Sequence, residues 1–325
     1  MCSLNIETQY NVAKQPQNLK NNDPIGRQVF SDTDIVDTNI ESQYRDIVFT
    51  DYNSNNVTGF GSSVVPNIVH YVVLDNPYMD FSHYVSVLSV LRNQKPVSVV
   101  FHCNCDRLRG RYWEKLMSLS DSHRLQLRSI VKPVFIFGKK LSSVYHQSDI
   151  VRIDIMMRFG GIFLDNDVYV VKSLDIFRKY EFTIGWPLDE NIGTQILIGH
   201  KNARFPRLWY ESYKKYRPTR WYYNAGQLPT QDILNPKPSL VHREPRSLGV
   251  QNLVPMLYND MYPLWEQNFY TIHLLSRHKS YLVPNDPIVL FDERNIRTYN
   301  KTFGQMARLV LFDSKDLISN AITDE

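Results

Sequence analysis

The stretch SDIVRIDIMMRFGGIFLDNDVYVVKSLD, residues 148–175, decides how the rest of the chain can be interpreted. Its first half carries apolar residues around most of a helical circumference, which predicts a buried helix. Gly160 and Gly161 should end that helix, because glycine adopts left-handed backbone angles without a steric penalty. The next three residues are apolar and predict a short buried strand. That strand delivers Asp165 and Asp167 at its C-terminal end, where ligands bind in open α/β sheets.

Two carboxylates separated by one residue can reach a single hard divalent cation if the backbone bends between them. Mg²⁺ and Mn²⁺ take oxygen ligands and keep positions for water or substrate phosphates. An isolated Asp-x-Asp is more often a solvated turn, because Asp and Asn are common turn residues. An EF-hand loop is excluded, because Val170 and Ile176 stand where its turn glycine and bidentate glutamate belong.

The surrounding residues resemble the signature of the DXD-containing sugar transferases. Ser148, Asp149 and Arg152, followed by Phe-Gly-Gly-Ile-Phe-Leu-Asp-x-Asp, are similar to retaining glycosyltransferases of the GT-A fold. Members include α-1,4-galactosyl- and α-1,4-N-acetylglucosaminyltransferases and the yeast α-mannosyltransferases of family 32. The resemblance covers roughly residues 65–312. It departs at Phe163, where the family usually has tyrosine.

This resemblance implies an α/β fold, a GT-A type Rossmann-like sandwich with a mixed central sheet. It also implies a Mn²⁺ or Mg²⁺ cofactor with Asp165, Asp167 and His273 as candidate ligands. Asp165 would hold the metal or the ribose, and with Asp149 and Arg152 it would grip the donor sugar. The alternative for the Asp149–Arg152 pair is a salt bridge on a helix surface, which would contribute well under about 1 kcal/mol. No catalytic base is assigned.

Two further groups of residues are candidates by their position in the sequence. His70 and Tyr71 lie on a predicted first strand, whose end in relatives lies under the nucleotide; a packed core histidine is the alternative for His70. The candidate acceptor side comprises Asn191, Gln195, Trp221, Tyr222 and Tyr223, since aromatic faces stack on sugar rings. Packing in the core is the alternative for these aromatic residues. Arg277 and Lys279 follow His273 and could neutralise a leaving diphosphate, although solvated surface charges are commoner.

The composition is that of an ordinary globular protein. The 325 residues are 43% hydrophobic and 22% charged, with a net charge of +4, too small to indicate a nucleic-acid surface. No apolar run approaches the roughly 18 residues of a membrane span, so we expect contact with membranes only through an anchor absent from this chain. We expect residues 1–63 to be a polar, flexible stem and residues 64–325 to be a single GT-A domain.

Within that domain, alternating apolar runs predict strands at 66–73, 97–102 and 131–137, with helices at 81–94 and 109–119. This rhythm is typical of a parallel sheet. Cys103 and Cys105 are two residues apart on a strand end, a poor geometry for a mutual disulfide. Asn56 and Asn300 begin N-glycosylation triplets.

The expected function is transfer of a hexose or N-acetylhexosamine, with retention, to a glycan, glycolipid or protein acceptor. The donor is a nucleotide sugar, with UDP favoured over GDP. A non-catalytic sugar- or nucleotide-binding relative on the same fold is the alternative. The resemblance implies the Golgi lumen, and the lack of a signal peptide or anchor in this chain leaves the cytosol open. The sequence does not specify the sugar, the linkage, the acceptor or the oligomeric state.

Overall fold

A seven-stranded mixed sheet forms the centre of the molecule in the computed structural model, which describes residues 46–319. The strands of the described region are β1 (Ile68–Val73), β2 (Ser98–Cys103), β3 (Leu125–Ser129), β4 (Phe135–Ile136), β5 (Lys139–Lys140), β6 (Gly161–Leu164), β7 (Val168–Val170), β8 (Phe182–Gly185), β9 (Ile196–Gly199), β10 (His242–Glu244) and β11 (Thr271–His273). The order across the main sheet is β10-β8-β9-β6-β1-β2-β3. Strands β3, β2, β1 and β6 are parallel, whereas β9 is antiparallel to both β6 and β8. The predicted α/β fold with a mixed central sheet is confirmed.

Helices cover both faces of this sheet. The α-helices of the described region are α1 (Phe81–Ser89), α2 (Arg111–Met117), α3 (Val144–Arg158), α4 (Arg204–Ser212), α5 (Trp265–Asn268), α6 (Lys279–Leu282) and α7 (Thr302–Phe312). Successive strand residues point to opposite faces. Ile162 and Leu164 therefore join one apolar cluster with residues of α1 and α7, while Phe163 joins another with residues of α3 and α4.

The turn between α3 and β6 depends on its two glycines. Gly160 and Gly161 have φ angles of +63° and +96°. A Cβ on Gly160 would lie 2.7 Å from the amide nitrogen of Lys201, and one on Gly161 would lie 2.7 Å from the carbonyl oxygen of Ile68. The predicted helix, glycine turn and short strand are all observed. The backbone NH of Asp165 then donates to the carbonyl of Gln195 at 2.9 Å, which fixes the start of the Asp-x-Asp turn.

The strand predicted at 131–137 is wrong as a member of the main sheet. The third parallel strand is β3, and only Phe135 and Ile136 of the predicted segment are extended, in a hairpin with β5. The sequence of β3, Leu-Gln-Leu-Arg-Ser, is half polar because β3 is an edge strand with no fully buried residue. A search for continuous apolar runs misses such a strand.

Part of the predicted stem belongs to the folded unit. Residues 1–45 lie outside the described residues, but Phe49 and Asn56 are buried against the domain. The Asn56 side chain donates to the carbonyl of Ser239 at 3.0 Å and accepts from the backbone NH of Glu181 at 3.0 Å. Phe49 and Asn56 therefore pack against the domain that we expect to begin at residue 64.

The expectation for the cysteines is also wrong. Cys103 and Cys105 form a disulfide with a Cα–Cα distance of 5.1 Å, inside the usual range for such bonds. Strand β2 ends at Cys103, so the chain is no longer extended between the two residues.

Candidate active site

A cavity of about 540 Å³ opens at the C-terminal ends of β1 and β6. Its walls come from the segment after β1, one face of α3, the turn after β6, the loop around residue 221 and the segment after β11. This is the crevice at which open α/β sheets bind ligands. It brings together segments that are far apart in the sequence.

Helix α3 contributes Val144, Tyr145, Ser148, Asp149 and Arg152 to the cavity wall. These residues recur at intervals of three and four, so they form one face of the helix. The other side of α3 carries apolar residues that pack in the core, including Ile150 and Ile153. The same periodicity that buries the helix therefore aims its polar residues into the cavity.

Arg152 is the centre of a buried polar network. Its guanidinium lies 3.2 Å from an Asp165 carboxylate oxygen and 3.5 Å from one of Asp149. It also donates to the carbonyl of Thr194 at 2.8 Å and lies 4.9 Å from the centre of the Phe163 ring. Arg152 and Asp149 are each less than one tenth exposed, so this pair is not a salt bridge on a helix surface.

Asp167 has a different set of partners. One carboxylate oxygen lies 3.2 Å from His273 Nε2, and the other accepts from the backbone NH of Ser276 at 2.8 Å and its hydroxyl at 2.9 Å. The antiparallel pairing of β7 with β11 sets His273 opposite Val168 and so creates this contact. The structure therefore places His273 beside the Asp-x-Asp turn, where the resemblance led us to expect it.

Three carboxylates of the cavity, those of Asp149, Asp165 and Asp167, differ in their electrostatics. Burial raises the pKa of Asp149 to about 6, although Arg152 opposes the shift. Burial also raises the pKa of Asp165, again against the effect of Arg152. Burial would raise the pKa of Asp167 as well, but His273 and Ser276 outweigh it and hold that pKa well below its usual range. Asp167 is thus the most strongly anionic carboxylate of the three.

The donor chemistry around the turn fits a hard divalent cation. Asp165 and Asp167 offer carboxylate oxygens, and His273 offers an imidazole nitrogen that contacts one of them. Within residues 46–319, no three His, Cys, Asp or Glu side chains are arranged as a ready metal centre. A cation would therefore take few protein ligands and keep positions for substrate oxygens, as Mg²⁺ commonly does.

His70 and Tyr71 do not line the cavity. His70 Nδ1 lies 3.0 Å from His102 Nε2, and the Tyr71 hydroxyl lies 2.8 Å from that of Ser86. Both residues are in the core, because these positions of β1 lie below its C-terminal end. The cavity is instead reached by the end of the same strand and the next residues, from Val72 to Leu74. The structure gives no support to ligand contacts from these two side chains.

The candidate acceptor residues are divided by the structure. Gln195, Trp221 and Tyr222 line the cavity, whereas Asn191 and Tyr223 do not. The Tyr223 ring lies against the guanidiniums of neighbouring arginines, 4.4 Å from that of Arg217 and 5.5 Å from that of Arg220.

Of the two cations after His273, Arg277 lines the cavity. Lys279 is buried in an ion pair with Asp286, at 3.2 Å.

Sequence reasoning missed several residues of the cavity wall, among them Asp80, His83, Tyr145 and Ser276. Asp80 accepts from the backbone NH of His83 at 2.8 Å and so begins α1. An Asp before an apolar periodic run is a recognisable helix start. Tyr145 precedes Asp149 by four residues, which places both on the same helix face. Ser276 had no signal in the sequence.

Comparison with known proteins shows what this site is similar to. Residues 77–183 match the family described as "Glycosyltransferase sugar-binding region containing DXD motif". This part of the chain holds Asp149, Arg152, Asp165 and Asp167, and it is similar to the sugar-binding region of that family. A relative named glucan organizing enzyme 1, from Cryptococcus neoformans var. grubii, is 29% identical over 186 residues. That match covers 52% of this chain and 49% of the relative, so the chain spans about half the length of the relative that it matches.

Solved structures with some similarity are also glycosyltransferases. The apo form of GlyE from Streptococcus pneumoniae TIGR4 has a TM-score of 0.44 and 10% identity, covering 71% of this chain and 59% of that one. Galactosyltransferase LgtC in complex with donor and acceptor sugar analogs has a TM-score of 0.39 and 16% identity, covering 63% of this chain and 86% of that one.

No helix within residues 46–319 has the length and hydrophobicity of a membrane span.

Proposed function

We propose that the protein is a metal-dependent glycosyltransferase that moves a hexose or N-acetylhexosamine, with retention, from a nucleotide sugar to an acceptor. The observation that carries the proposal is the convergence of Asp149, Arg152, Asp165 and Asp167 on one cavity at the end of β6. A structural role alone would not require two carboxylates to share one buried guanidinium beside an open cavity. Burying charge is costly, and such groups are commonly functional.

Unpartnered polar atoms around the cavity support ligand binding. Asn166 Oδ1, Gln195 Oε1 and His273 Nδ1 are buried and have no hydrogen-bond partner in the part of the chain that the structure describes. Buried polar atoms without a partner cost free energy. In the proposed complex, a hydroxyl-rich donor would supply the missing donors and acceptors.

Each residue has a distinct role in the proposal. Asp167 and Asp165 would hold Mn²⁺ or Mg²⁺ together with His273, and Asp165 could also contact the ribose. A bound cation would stabilise the negative charge of the departing diphosphate. Arg152 would donate to hydroxyls of the donor sugar and Asp149 would accept from them. The exposed Arg277 would add positive charge near the leaving group.

The nucleotide is proposed to lie at the C-terminal end of β1, beside Val73 and Leu74. His70 and Tyr71 would support that strand end by packing beneath it and not by contact with the base. UDP is preferred over GDP only on the resemblance. The acceptor side is proposed around Gln195, Trp221 and Tyr222, and we assign no catalytic base.

The non-catalytic alternative rests on two departures from the family pattern. Phe163 lacks the hydroxyl of the usual tyrosine, and Leu275 occupies the place of a tryptophan. Both are compatible with catalysis here, since Phe163 packs against Arg152 and Leu275 lines the cavity. The Golgi lumen is proposed as the compartment by resemblance, with the cytosol as the alternative.

The direct test is the release of UDP or GDP from a panel of sugar nucleotides, with Mn²⁺ and with chelator. We expect metal-dependent hydrolysis or transfer with one donor, and loss of at least about a hundredfold in Asp167→Asn. Asp106→Asn removes an exposed acid outside the cavity and serves as the matched control. Thermal stabilisation by a donor without any turnover would favour the non-catalytic alternative. Neither binding nor turnover with any donor by the folded protein would refute the proposal.

A further inference from the structure

Two exposed aromatic rings form a lip at the mouth of the cavity. Tyr145 and Trp221 are 41% and 56% exposed, and both line the cavity. Their ring centres lie 4.5 Å apart with planes at 73°, so the edge of one ring meets the face of the other. The Arg277 guanidinium lies 5.9 Å from the centre of the Tyr145 ring. We call Tyr145 and Trp221 the aromatic lip.

A buried histidine forms a hydrogen bond with the backbone of Trp221. His146 is 5% exposed, and its Nε2 lies 3.0 Å from the carbonyl oxygen of Trp221. A carbonyl oxygen can only accept, so Nε2 carries a proton and, in the neutral ring, Nδ1 accepts. Nδ1 lies 2.6 Å from the Tyr216 hydroxyl and 3.0 Å from that of Ser142. This network fixes the backbone of an otherwise exposed tryptophan.

The neighbours of Trp221 point elsewhere. Tyr222 turns inward and donates its hydroxyl to the carbonyl of Ile192, whereas Tyr223 lies between two arginine side chains. Of the three consecutive aromatic residues, only Trp221 is therefore presented to solvent at the cavity mouth. A fixed, solvent-facing ring at the edge of a polar cavity is a rigid contact surface with little conformational entropy to lose.

The lip lies next to the proposed donor-sugar position. Tyr145 and Asp149 are one helical turn apart on α3, a rise of about 6 Å. A sugar ring placed against the lip would therefore adjoin a donor sugar held by Asp149 and Arg152. The apolar faces of a pyranose suit an aromatic platform, whereas a serine or threonine side chain of an unmodified protein offers no comparable face.

We propose that the aromatic lip binds a pyranose ring of a saccharide acceptor, so that the acceptor is a glycan or glycolipid and not an unglycosylated protein. This inference rests on the proposed function and adds the substrate class of the acceptor. Tyr145 and Trp221 are binding residues in this proposal. His146, with Tyr216 and Ser142, is a positioning residue that acts through Trp221.

The first arm of the test measures binding without turnover. Saturation-transfer NMR on the full chain would use methyl glycosides of glucose, galactose, mannose and N-acetylglucosamine as probes. We expect one or more to bind the parent and to lose about tenfold in affinity in Trp221→Ala, with partial recovery in Trp221→Phe. Tyr52→Ala is the matched control, because Tyr52 is a fully exposed aromatic residue outside the cavity. No binding of any methyl glycoside to the parent would overturn the proposal, as would equal binding by parent and Trp221→Ala.

The second arm measures how the enzyme divides its donor between acceptors. The ratio of transfer to a methyl glycoside over hydrolysis of the donor should fall about tenfold in Trp221→Ala. A positioning role for His146 predicts that Tyr216→Phe raises the acceptor KM with less effect on kcat. Efficient transfer to a sugar-free serine peptide, unaffected by Trp221→Ala, would overturn the proposal. Absence of hydrolysis with every donor would instead refute the proposed function, while the binding arm would still decide the role of the lip.

Discussion

At the scale of one residue, the buried carboxyl of Asp149 makes the stability of the folded protein depend on pH. Its folded-state pKa is raised from 3.8 to about 6 by burial, with Arg152 opposing. The stability linked to this group is fully present below pH 3.8 and is lost as the pH rises through about 6. Above that range, the folded state carries a carboxylate that it disfavours, although the proposed donor would use its oxygens.

Asp149→Asn should therefore stabilise the protein at neutral pH while impairing donor binding. We expect a gain of about 1–3 kcal/mol at pH 7.5 that disappears at pH 3.5. Arg152 keeps its contacts with Asp165 and Thr194 in this variant. Urea unfolding at the two pH values measures the difference, and Asp106→Asn should show no change at either. Lower stability of Asp149→Asn at pH 7.5 would mean that the ion pair with Arg152 outweighs the cost of burial.

Single residues were foreseen from the sequence where a spacing rule applied to them. Asp149 and Arg152 could be assigned to one helix face because they lie three residues apart. Asp165 and Asp167 could be assigned to the ligand-binding edge of the sheet because they follow a buried strand. The contact between Asp167 and Ser276 joins residues 109 apart in the chain. No local rule predicts such a contact, since it depends on the pairing of β7 with β11.

At the scale of elements, the connection between α3 and β6 does not tolerate a side chain at Gly161. Gly161 has a φ of +96°, and a Cβ there would lie 2.7 Å from the backbone oxygen of Ile68. Both the backbone conformation and the space exclude a side chain. This turn sets the register of β6 and hence the position of the Asp-x-Asp turn.

Gly161→Ala should destabilise the fold by about 2–4 kcal/mol, measured by urea unfolding. Two controls separate the causes. Gly138 has a φ of +75° and no atom within 4 Å of the position that an alanine methyl group would take, so Gly138→Ala should report the backbone strain alone, about 1 kcal/mol. Gly61 has open space and no such φ, so Gly61→Ala should be close to neutral. Equal effects at all three positions would contradict the steric argument.

The elements that could be predicted are those with a continuous apolar signal. Strands β1, β2 and β6, and helices α1 and α3, are buried along most of their length, so their pattern is strong. Strand β3 is half polar because one side of it is exposed at the sheet edge. The antiparallel direction of β9 could be inferred only from the family resemblance, because hydrophobic patterning does not encode strand direction.

For the whole molecule, three buried histidines on the sheet and α1 link stability to pH. Burial lowers the pKa of His70 and of His83 to about 3, and lowers that of His102 well below its usual value. Their neutral forms stabilise the folded state above about pH 6.5, and this stability is lost as the pH falls toward their folded-state pKa values. The groups whose pKa values are raised oppose the trend: His273 and the carboxyls of Asp80, Asp149, Asp154 and Asp165.

The free energy of unfolding should therefore fall by about 2 kcal/mol between pH 7.5 and pH 5.5, because each histidine contributes a loss of up to about 1.4 kcal/mol per pH unit and the opposing groups return part of it. We expect the three histidines to outweigh the opposing groups in this window. Urea unfolding curves at intervals of half a pH unit measure the slope. A flat profile over this range would show that at least one of the three histidines is protonated in the folded protein.

The segment before the expected domain boundary contributes to the same fold. The Glu181 side chain has no solvent exposure, and its carboxylate contacts the Ser54 hydroxyl at 2.5 Å and the Arg204 guanidinium at 2.9 Å. Asn56 binds the backbone on both sides of this site, at the carbonyl of Ser239 and the NH of Glu181. Residues 54–56 thus close over a buried charge that lies at the start of β8.

Asn56→Ala should lower the free energy of unfolding by about 2 kcal/mol, because it leaves buried backbone groups without partners. Val57→Ala, at a neighbouring side chain that is 80% exposed, should change it by less than about 0.5 kcal/mol.

The burial of Asn56 also predicts that, in a secretory host, a glycan would be attached to the exposed Asn300 and not to Asn56. Mass spectrometry of the two peptides tests this. A fully glycosylated Asn56 in folded protein, or an Asn56→Ala variant as stable as the parent, would show that residues 46–63 do not belong to the folded unit.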